Sequence, residues 1–260
     1  MGLRRFAGVI LIYAVLSLPV LVWAAHPLIT DDSGTQGKGK FQFEVNGEYD
    51  HDKKTIDGVS EKSIGGQAGS TLSYGVIESA DLVVNASYLW DKDTEAGITT
   101  YNENGLSDVS CECKWRFFEK DGFGIALKPG INFPTGDDEE ELGSGRTGYH
   151  IFLISSKEAE TWAFHTNLGY IRNENKADEE KDIWHASLAT TCEVIKDFNL
   201  VANIGSEKNP DRTADDDPAF LIIGSIYSLT EDLDADAGAK FGLTSSETDW
   251  SLLAGMAYRF

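Results

Sequence analysis

Past residue 24 the sequence has no long apolar run, and nothing there approaches the roughly 18 residues that a membrane-crossing helix needs. A membrane, if the chain enters one, is entered by strands. Cysteine is scarce: Cys111, Cys113 and Cys192 are odd in number and lack the spacing of a zinc site or a disulfide framework. Cys111 and Cys113 share one face of an extended segment beside Val109 and Trp115. Small apolar surface and a metal or redox pair are both admissible readings there. Cations are outnumbered, 22 Lys and Arg against 43 Asp and Glu, for a formal charge of −21. Phosphodiester partners need the opposite balance, so nucleic acid is not expected. No GxSxG elbow occurs. Neither a cofactor nor a metal site is expected.

What is present begins with an export pattern. Arg4 and Arg5 precede an almost unbroken apolar run from Val9 to Val22, and residues 1–24 read as a signal peptide cut before Ala25. Loss of those two arginines takes the formal charge from −21 to −23. Residues 25–39 are polar and Gly-containing and form a periplasmic N-terminal segment. It either folds into the barrel mouth as a partial stopper or hangs as a loose tail.

From residue 40 to 260 apolar residues recur with period two, which puts one oily face and one polar face on each strand. The clearest case is Trp250–Phe260, where Trp250, Leu252, Ala254, Met256, Tyr258 and Phe260 share one parity. Ser251, Gly255, Ala257 and Arg259 take the other, with Leu253 the apolar exception. About ten tilted residues is what a strand needs to cross a bilayer. Similar segments begin near residues 41, 64, 82, 109, 123, 162, 184, 198 and 233; those at 149–155 and 220–227 are apolar on both parities and have no legible facing. The total is twelve, and an even number suits a closed antiparallel barrel.

Joints at 78–81, 119–122, 156–161, 195–197 and 230–232 are short. Those at 50–62, 91–105, 135–147, 173–182 and 206–218 read as long loops, so the two rims differ. Phe41, Tyr49, Trp90, Phe123, Phe133, Trp162, Tyr170, Trp184, Trp250, Tyr258 and Phe260 stand at strand ends on the oily face, as interfacial girdles do. The expected fold is all-β, a closed antiparallel transmembrane β-barrel of about twelve strands.

Two runs resemble a known family. PLITDDSGTQGKGKFQFE, residues 27–44, and GINFPTGD, residues 130–137, look like the signatures of an outer-membrane barrel family associated with the meta-cleavage pathway of phenol degradation. The resemblance implies a transporter-like barrel in the outer membrane of a Gram-negative bacterium, with small, possibly aromatic, organic solutes. It also implies lipid and lipopolysaccharide as surroundings and Phe260 as the residue read by the barrel-assembly machinery.

If the oily face meets lipid, the opposite parity lines the lumen with Glu44, Glu48, Glu112, Lys114, Arg116, Lys128, His165, His185, Glu193, Asp234, Asp236, Lys240 and Arg259. These charges either pair across the lumen or set a field along a pore, with Lys114, Arg116 and Lys128 as a candidate constriction. Barrels of about eight strands are filled and those of about sixteen are open, so twelve predicts a narrow lumen. Acidic loop runs such as Asp137–Glu141 suit either solvation or divalent-ion bridges to lipopolysaccharide. A structural or adhesive barrel with a blocked lumen is the alternative, and an outer-membrane lipase a third. His165 and His185 are too far apart to share a metal or proton if their hairpin folds about Ala177.

Overall fold

The computed structural model describes residues 26–56 and 58–260; the signal-peptide reading of residues 1–24 lies outside the described residues. The strands are β1 (Phe41–Ile56), β2 (Val59–Ile77), β3 (Ala80–Glu95), β4 (Ile98–Leu106), β5 (Val109–Lys120), β6 (Phe123–Phe133) and β7 (Gly148–Ala159). Then follow β8 (Trp162–Arg172), β9 (Asp182–Ile195), β10 (Phe198–Glu207), β11 (Ala219–Ser228), β12 (Leu233–Gly242) and β13 (Trp250–Arg259).

Every pairing is antiparallel, and β13 returns to β1 from Gln42↔Arg259 to His51↔Trp250, which closes the cylinder. β4 and β5 both lie along the same side of β3, β4 on residues 88–95 and β5 on residues 80–85. They are two lengths of one stave, broken at Ser107 and Asp108, so the wall is a barrel of 12 strands. Full closure leaves no unpaired edge inside a bilayer, where an unmet N–H or C=O costs several kcal/mol.

The two rims differ as the joint lengths indicate, but two expected loops are strand. β1 runs to Ile56 and β2 begins at Val59, and β3 turns into β4 at Ala96 and Gly97, both at positive φ (48° and 83°). Runs such as HDKKTIDG and DKDTEAG carry no oily face, so alternation does not reveal them. A hairpin standing above the bilayer needs no such face, and the ladders continue to Ile56↔Val59 in register and to Glu95↔Ile98 past a register shift between Asp93 and Thr94. At the opposite rim, Asp121-Gly122 forms a two-residue turn with φ of 51° and 69°, the primed geometry that matches strand twist.

The illegible strands now have a facing. Tyr149, Ile151 and Leu153 are exposed on the outer face, whereas His150, Phe152 and Ile154 point inward. In β11, Ile223 and Tyr227 face out; Phe220, Ile222 and Ile226 are buried within. Phe220 and Ile222 pack on Leu253, which accounts for the apolar exception in β13. All the girdle aromatics lie on the outer parity. At the turn rim Phe41 stacks on Phe260 with centroids 5.4 Å apart, and Tyr258 on Phe260 at 5.6 Å. At the loop rim Tyr49 and Trp250 meet at 6.1 Å.

Leu153 sits mid-strand on the lipid face, paired with Leu127 and Leu168. Leu153→Arg is expected to destabilise the barrel by about 2–4 kcal/mol in a vesicle refolding titration. An unchanged midpoint would place Leu153 away from lipid.

Candidate functional site

Residues 26–39 do not hang below the barrel. They run along its inner wall as a belt. Gly39 N donates to Gly75 O at 2.7 Å where the chain leaves β1, and Gln36 N donates to the Asp81 carboxylate at 2.9 Å. Ser33 N donates to Ser156 Oγ at 2.8 Å. Ile29 N and Thr30 N both donate to Asn203 Oδ1, at 2.8 and 3.0 Å, while the Thr30 hydroxyl donates to Ser187 Oγ at 2.7 Å. Pro27 lies on Gly224 and Gly238, where a Cβ would stand 2.8–3.0 Å from its ring carbons. His26 Nδ1 ends the circuit on Asp236 at 2.5 Å. The belt has thus touched strands from β2 round to β12. Gly75 is required for the start of this path, since a Cβ there would meet Gly37 O at 1.8 Å.

One carboxylate anchors the belt. Asp31 Oδ1 accepts from Lys114 Nζ at 2.9 Å and Asp31 Oδ2 from Lys128 Nζ at 3.0 Å. Burial by itself raises the Asp31 carboxyl, but the two ammonium groups outweigh it and hold it well below the ordinary carboxylate range. Asn167 takes both main-chain groups of Asp31, at 2.7 and 2.9 Å, with its amide oriented to match donor to acceptor. Lys114 also reaches Asp32 at 3.7 Å.

The remaining inward charges pair locally. Lys128 contacts Glu112 at 3.4 Å, and Glu112 contacts His150 Nε2 at 2.8 Å. Lys240 lies 2.8 Å from Glu48 and 3.5 Å from Glu247. Arg259 bonds Asp234 and, at 3.0 Å, Gln42. Glu44 accepts from Gln42 Nε2 at 2.7 Å. His185 bonds Ser187 at 2.9 Å and Glu207 at 3.2 Å. Two candidates stand apart at the turn rim: Arg116, 3.2 Å from Glu119, and Glu193, which accepts from Asp197 N at 3.4 Å. Lys114 and Lys128 converge, and Arg116 does not join them.

His165 lies opposite Ala189 and His185 opposite Gly169, so the two rings are not brought together. His165 Nδ1 instead meets Ser156 Oγ at 2.9 Å. Among the described residues no group of three His, Cys, Asp or Glu is placed to hold a metal ion. Several loop carboxylates have cationic partners, Asp138 with Lys176 at 2.9 Å, Asp178 with Arg212 at 3.1 Å and Asp217 with Lys208 at 3.1 Å.

A charge-only reading of the inward parity overlooks the neutral groups that bind the belt: Asn203, Ser187, Ser156 and Asn167. It also overlooks Phe152, Phe220 and Ile222, inside on strands with no legible facing. Asn203 was open to detection, because an amide flanked by Ala202 and Ile204 at the middle of an alternating strand needs a partner wherever it is buried.

The belt divides the lumen into three linked cavities. The first, about 300 Å³ at the turn rim, lies among Asp32, Gln36, Arg116 and Glu158. A second of about 310 Å³ shares Asp32 and Gln36 with it and is bordered by Glu44, Val83 and Lys128. The third, about 230 Å³, shares Leu28 and Ile29 with the second and reaches Ile222, Lys240 and Leu253. Across the lumen Ile154, Ala189 and Val201 are buried, and the second cavity lies against β1–β3 and β5–β6.

Asp31→Asn is expected to weaken belt docking by about 1.5–3 kcal/mol, the range for hydrogen bonds to charged groups. Amide exchange at Ile29 and Thr30 should then rise by roughly tenfold or more. The docked carboxyl titrates lower than the undocked one. Its contribution is therefore whole above the ordinary Asp pKa of about 3.9 and is lost only as pH falls through the lower, docked value. Equal exchange in both proteins at neutral pH would remove Asp31 as the anchor.

A family model described as the MetA-pathway of phenol degradation matches residues 25–260. No curated protein matches the chain by sequence. Among solved structures, an outer-membrane channel from Pseudomonas putida F1 superposes with a TM-score of 0.66 at 15% identity, over 88% of this chain and 98% of that one. The translocator domain of the autotransporter NalP from Neisseria meningitidis gives 0.51 at 13% identity, over 86% and 89%. A deletion mutant of TodX, a monoaromatic hydrocarbon channel, gives 0.50 at 10%, over 86% and 90%. At such identities the likeness is one of fold.

Proposed function

The chain belongs to the family described as the MetA-pathway of phenol degradation, and from that premise we propose that it is an outer-membrane channel for small organic molecules, aromatic ones among them. The observation that carries this reading is the belt with its chain of cavities. An apolar cavity of about 150 Å³ accepts benzene. The second and third cavities, at about 310 and 230 Å³, each have room for one ring and neither suits folded cargo. Leu28, Ile29, Ile222 and Leu253 give the third an apolar side, and paired charges line the second. A solute with a flat apolar body and one polar group matches that sequence of surfaces. The TodX protein, a monoaromatic hydrocarbon channel, and the Pseudomonas outer-membrane channel share this fold and agree with it.

The protein works without chemistry of its own on this reading. Its surroundings are lipid and lipopolysaccharide, the acidic loops facing the phosphates through divalent ions. Phe260, stacked on Phe41 where the last strand meets the first, serves as the residue recognised during barrel assembly.

The belt favours a second reading, a barrel whose lumen is permanently blocked and whose loops bind a partner. Liposome swelling separates the two. The channel reading expects swelling with phenol that exceeds swelling with a disaccharide, and a severalfold rise for both when residues 26–39 are deleted. No solute flux from the intact protein, with flux only after the deletion, supports the blocked barrel.

Charge selectivity gives an independent check. Replacing Lys114 and Lys128 together with Gln leaves Asp31, Asp32 and Glu112 without those cations. Reversal potentials in planar bilayers should then shift towards cation selectivity, and no shift would place the ion path elsewhere.

A further inference from the structure

At the far end of the belt, three polar groups are brought to one point on the inner wall. Asn46 of β1, Gly255 of β13 and Asp236 of β12 are successive partners in the ladder, midway along the contact of β1 with β13. A Cβ on Gly255 would stand 2.6 Å from Asp236 Oδ2, 2.7 Å from Asn46 Oδ1 and 2.7 Å from His26 Nδ1. Such separations suit a charge-assisted hydrogen bond and are too short for a carbon. Gly255 is not among the glycines at positive φ, so its backbone makes no demand for glycine. What the missing side chain provides is an open point among the three groups.

The groups around that point are unevenly satisfied. His26 Nδ1 gives its hydrogen to Asp236 Oδ1. Asp236 Oδ2 and Asn46 Oδ1 accept no hydrogen bond among the described residues, and Asn46 Oδ1 is buried. Two acceptors therefore face the open point, and the donor beside it is already used. The Asp236 side chain is 4% exposed, and a carboxylate so enclosed calls for a cation. Its neighbours have one: Glu48 has Lys240 at 2.8 Å, and Asp234 has Arg259. Among the described residues no lysine or arginine pairs with Asp236. A small ammonium group, with several N–H donors and a full charge, matches what is missing.

We propose that the point over Gly255 is a receptor for the chain's own α-ammonium group, which comes into being only when the leader is cut before Ala25, so that export processing completes the docking of the belt. The tether is short: the sequence places the cut one residue before His26, and the His26 ring already borders the point. Hydrolysis of the amide between Ala24 and Ala25 by water leaves a carboxylate on the leader and an ammonium group on Ala25. In the precursor the same nitrogen is an uncharged amide with one hydrogen and carries the leader with it. The uncut chain therefore has no charge to offer Asp236, and its belt lacks the last contact of the circuit. This inference holds whichever solute the lumen passes.

The test is the reactivity of that amine. The mature chain, starting at Ala25 and refolded in detergent micelles, is treated with formaldehyde and cyanoborohydride, which methylate free amines. Methylation of Ala25 should be roughly tenfold or more slower in the folded barrel than in the urea-unfolded chain, as for a group held by charged hydrogen bonds. The exposed Lys38 side chain should react alike in both. Asp236→Asn should remove most of the protection of Ala25. A mature chain acetylated at its α-amine changes no residue of the wall. In it, amide exchange at Ile29 should rise by roughly the same factor, while Ser33, bonded to Ser156, stays protected. Methylation of Ala25 as fast in the folded protein as in the unfolded one would assign the point to water or a free ion and overturn the proposal. Equal exchange at Ile29 with and without the acetyl group overturns it as well.

Discussion

Two ammonium groups facing each other across neighbouring strands, with one carboxylate between them, form the contact on which the interior depends. Lys114 and Lys128 lie opposite one another on β5 and β6, and like charges in that position repel. Neither can turn outward, because the other face of both strands meets hydrocarbon. Asp31 answers both at about 3 Å, the distance of a charge-assisted hydrogen bond. The wall therefore holds a two-cation socket that is electrostatically complete only with a residue from outside the barrel strands. Once Asp31 is fixed, chain length sets where Thr30 and Ser33 reach, and these meet Asn203, Ser187 and Ser156 within two residues of the anchor.

That constraint explains why the lumen is lined with amides and hydroxyls, which are of little use to an open pore. In a twelve-stranded cylinder the opposite wall is too far for such groups to bond across, and a polar group left dry and unbonded costs about 1–3 kcal/mol. The belt brings a backbone to them. It supplies peptide N–H donors to Asn203 and Ser156, and a proline ring to the glycines of β11 and β12. Where the belt does not reach, the interior is filled by apolar side chains, as with Phe220, Ile222 and Leu253. The remaining space follows the belt, from Glu158 at the turn rim past β5 and β6 to Ile222 and Leu253. An occluding segment and the cavities along it are thus two results of the same packing.

The fold was legible because a bilayer makes alternation obligatory. Wherever a strand crosses hydrocarbon, one parity must be oily, and strands such as β13 and β8 announce themselves with aromatics at their ends. Legibility failed in two places for opposite reasons. The hairpin ends of β1–β4 stand in water, where neither face must be apolar, so HDKKTIDG reads as loop and folds as strand. β7 and β11 carry apolar residues on both faces because their inward side chains fill the lumen. At the site, parity located the charges but not their partners. Nothing in the spacing of HPLITDDSGTQGKGK states that Asp31 lies 83 residues from one lysine and 97 from the other in sequence and beside both in space.

The anchor shares Lys128 with a second contact on the wall, which joins the behaviour of the belt to that of β5–β7. Lys128 touches Asp31 at 3.0 Å and Glu112 at 3.4 Å, and Glu112 in turn holds His150. Removing Asp31 frees Lys128 to pair more fully with Glu112, which competes with the hydrogen bond from His150. Parting Glu112 from His150 likewise leaves Glu112 to draw Lys128 away from Asp31. Such exchange of partners is reciprocal: whatever free energy belt release contributes to parting Glu112 from His150, that parting contributes to belt release. A solute lodged beside Glu112 lies in the same cavity as Ile29, Thr30 and Asp31, so it acts on the belt directly as well as through Lys128. This chain of four side chains is the part of the structure in which a small molecule and an occluding segment can compete for the same charges.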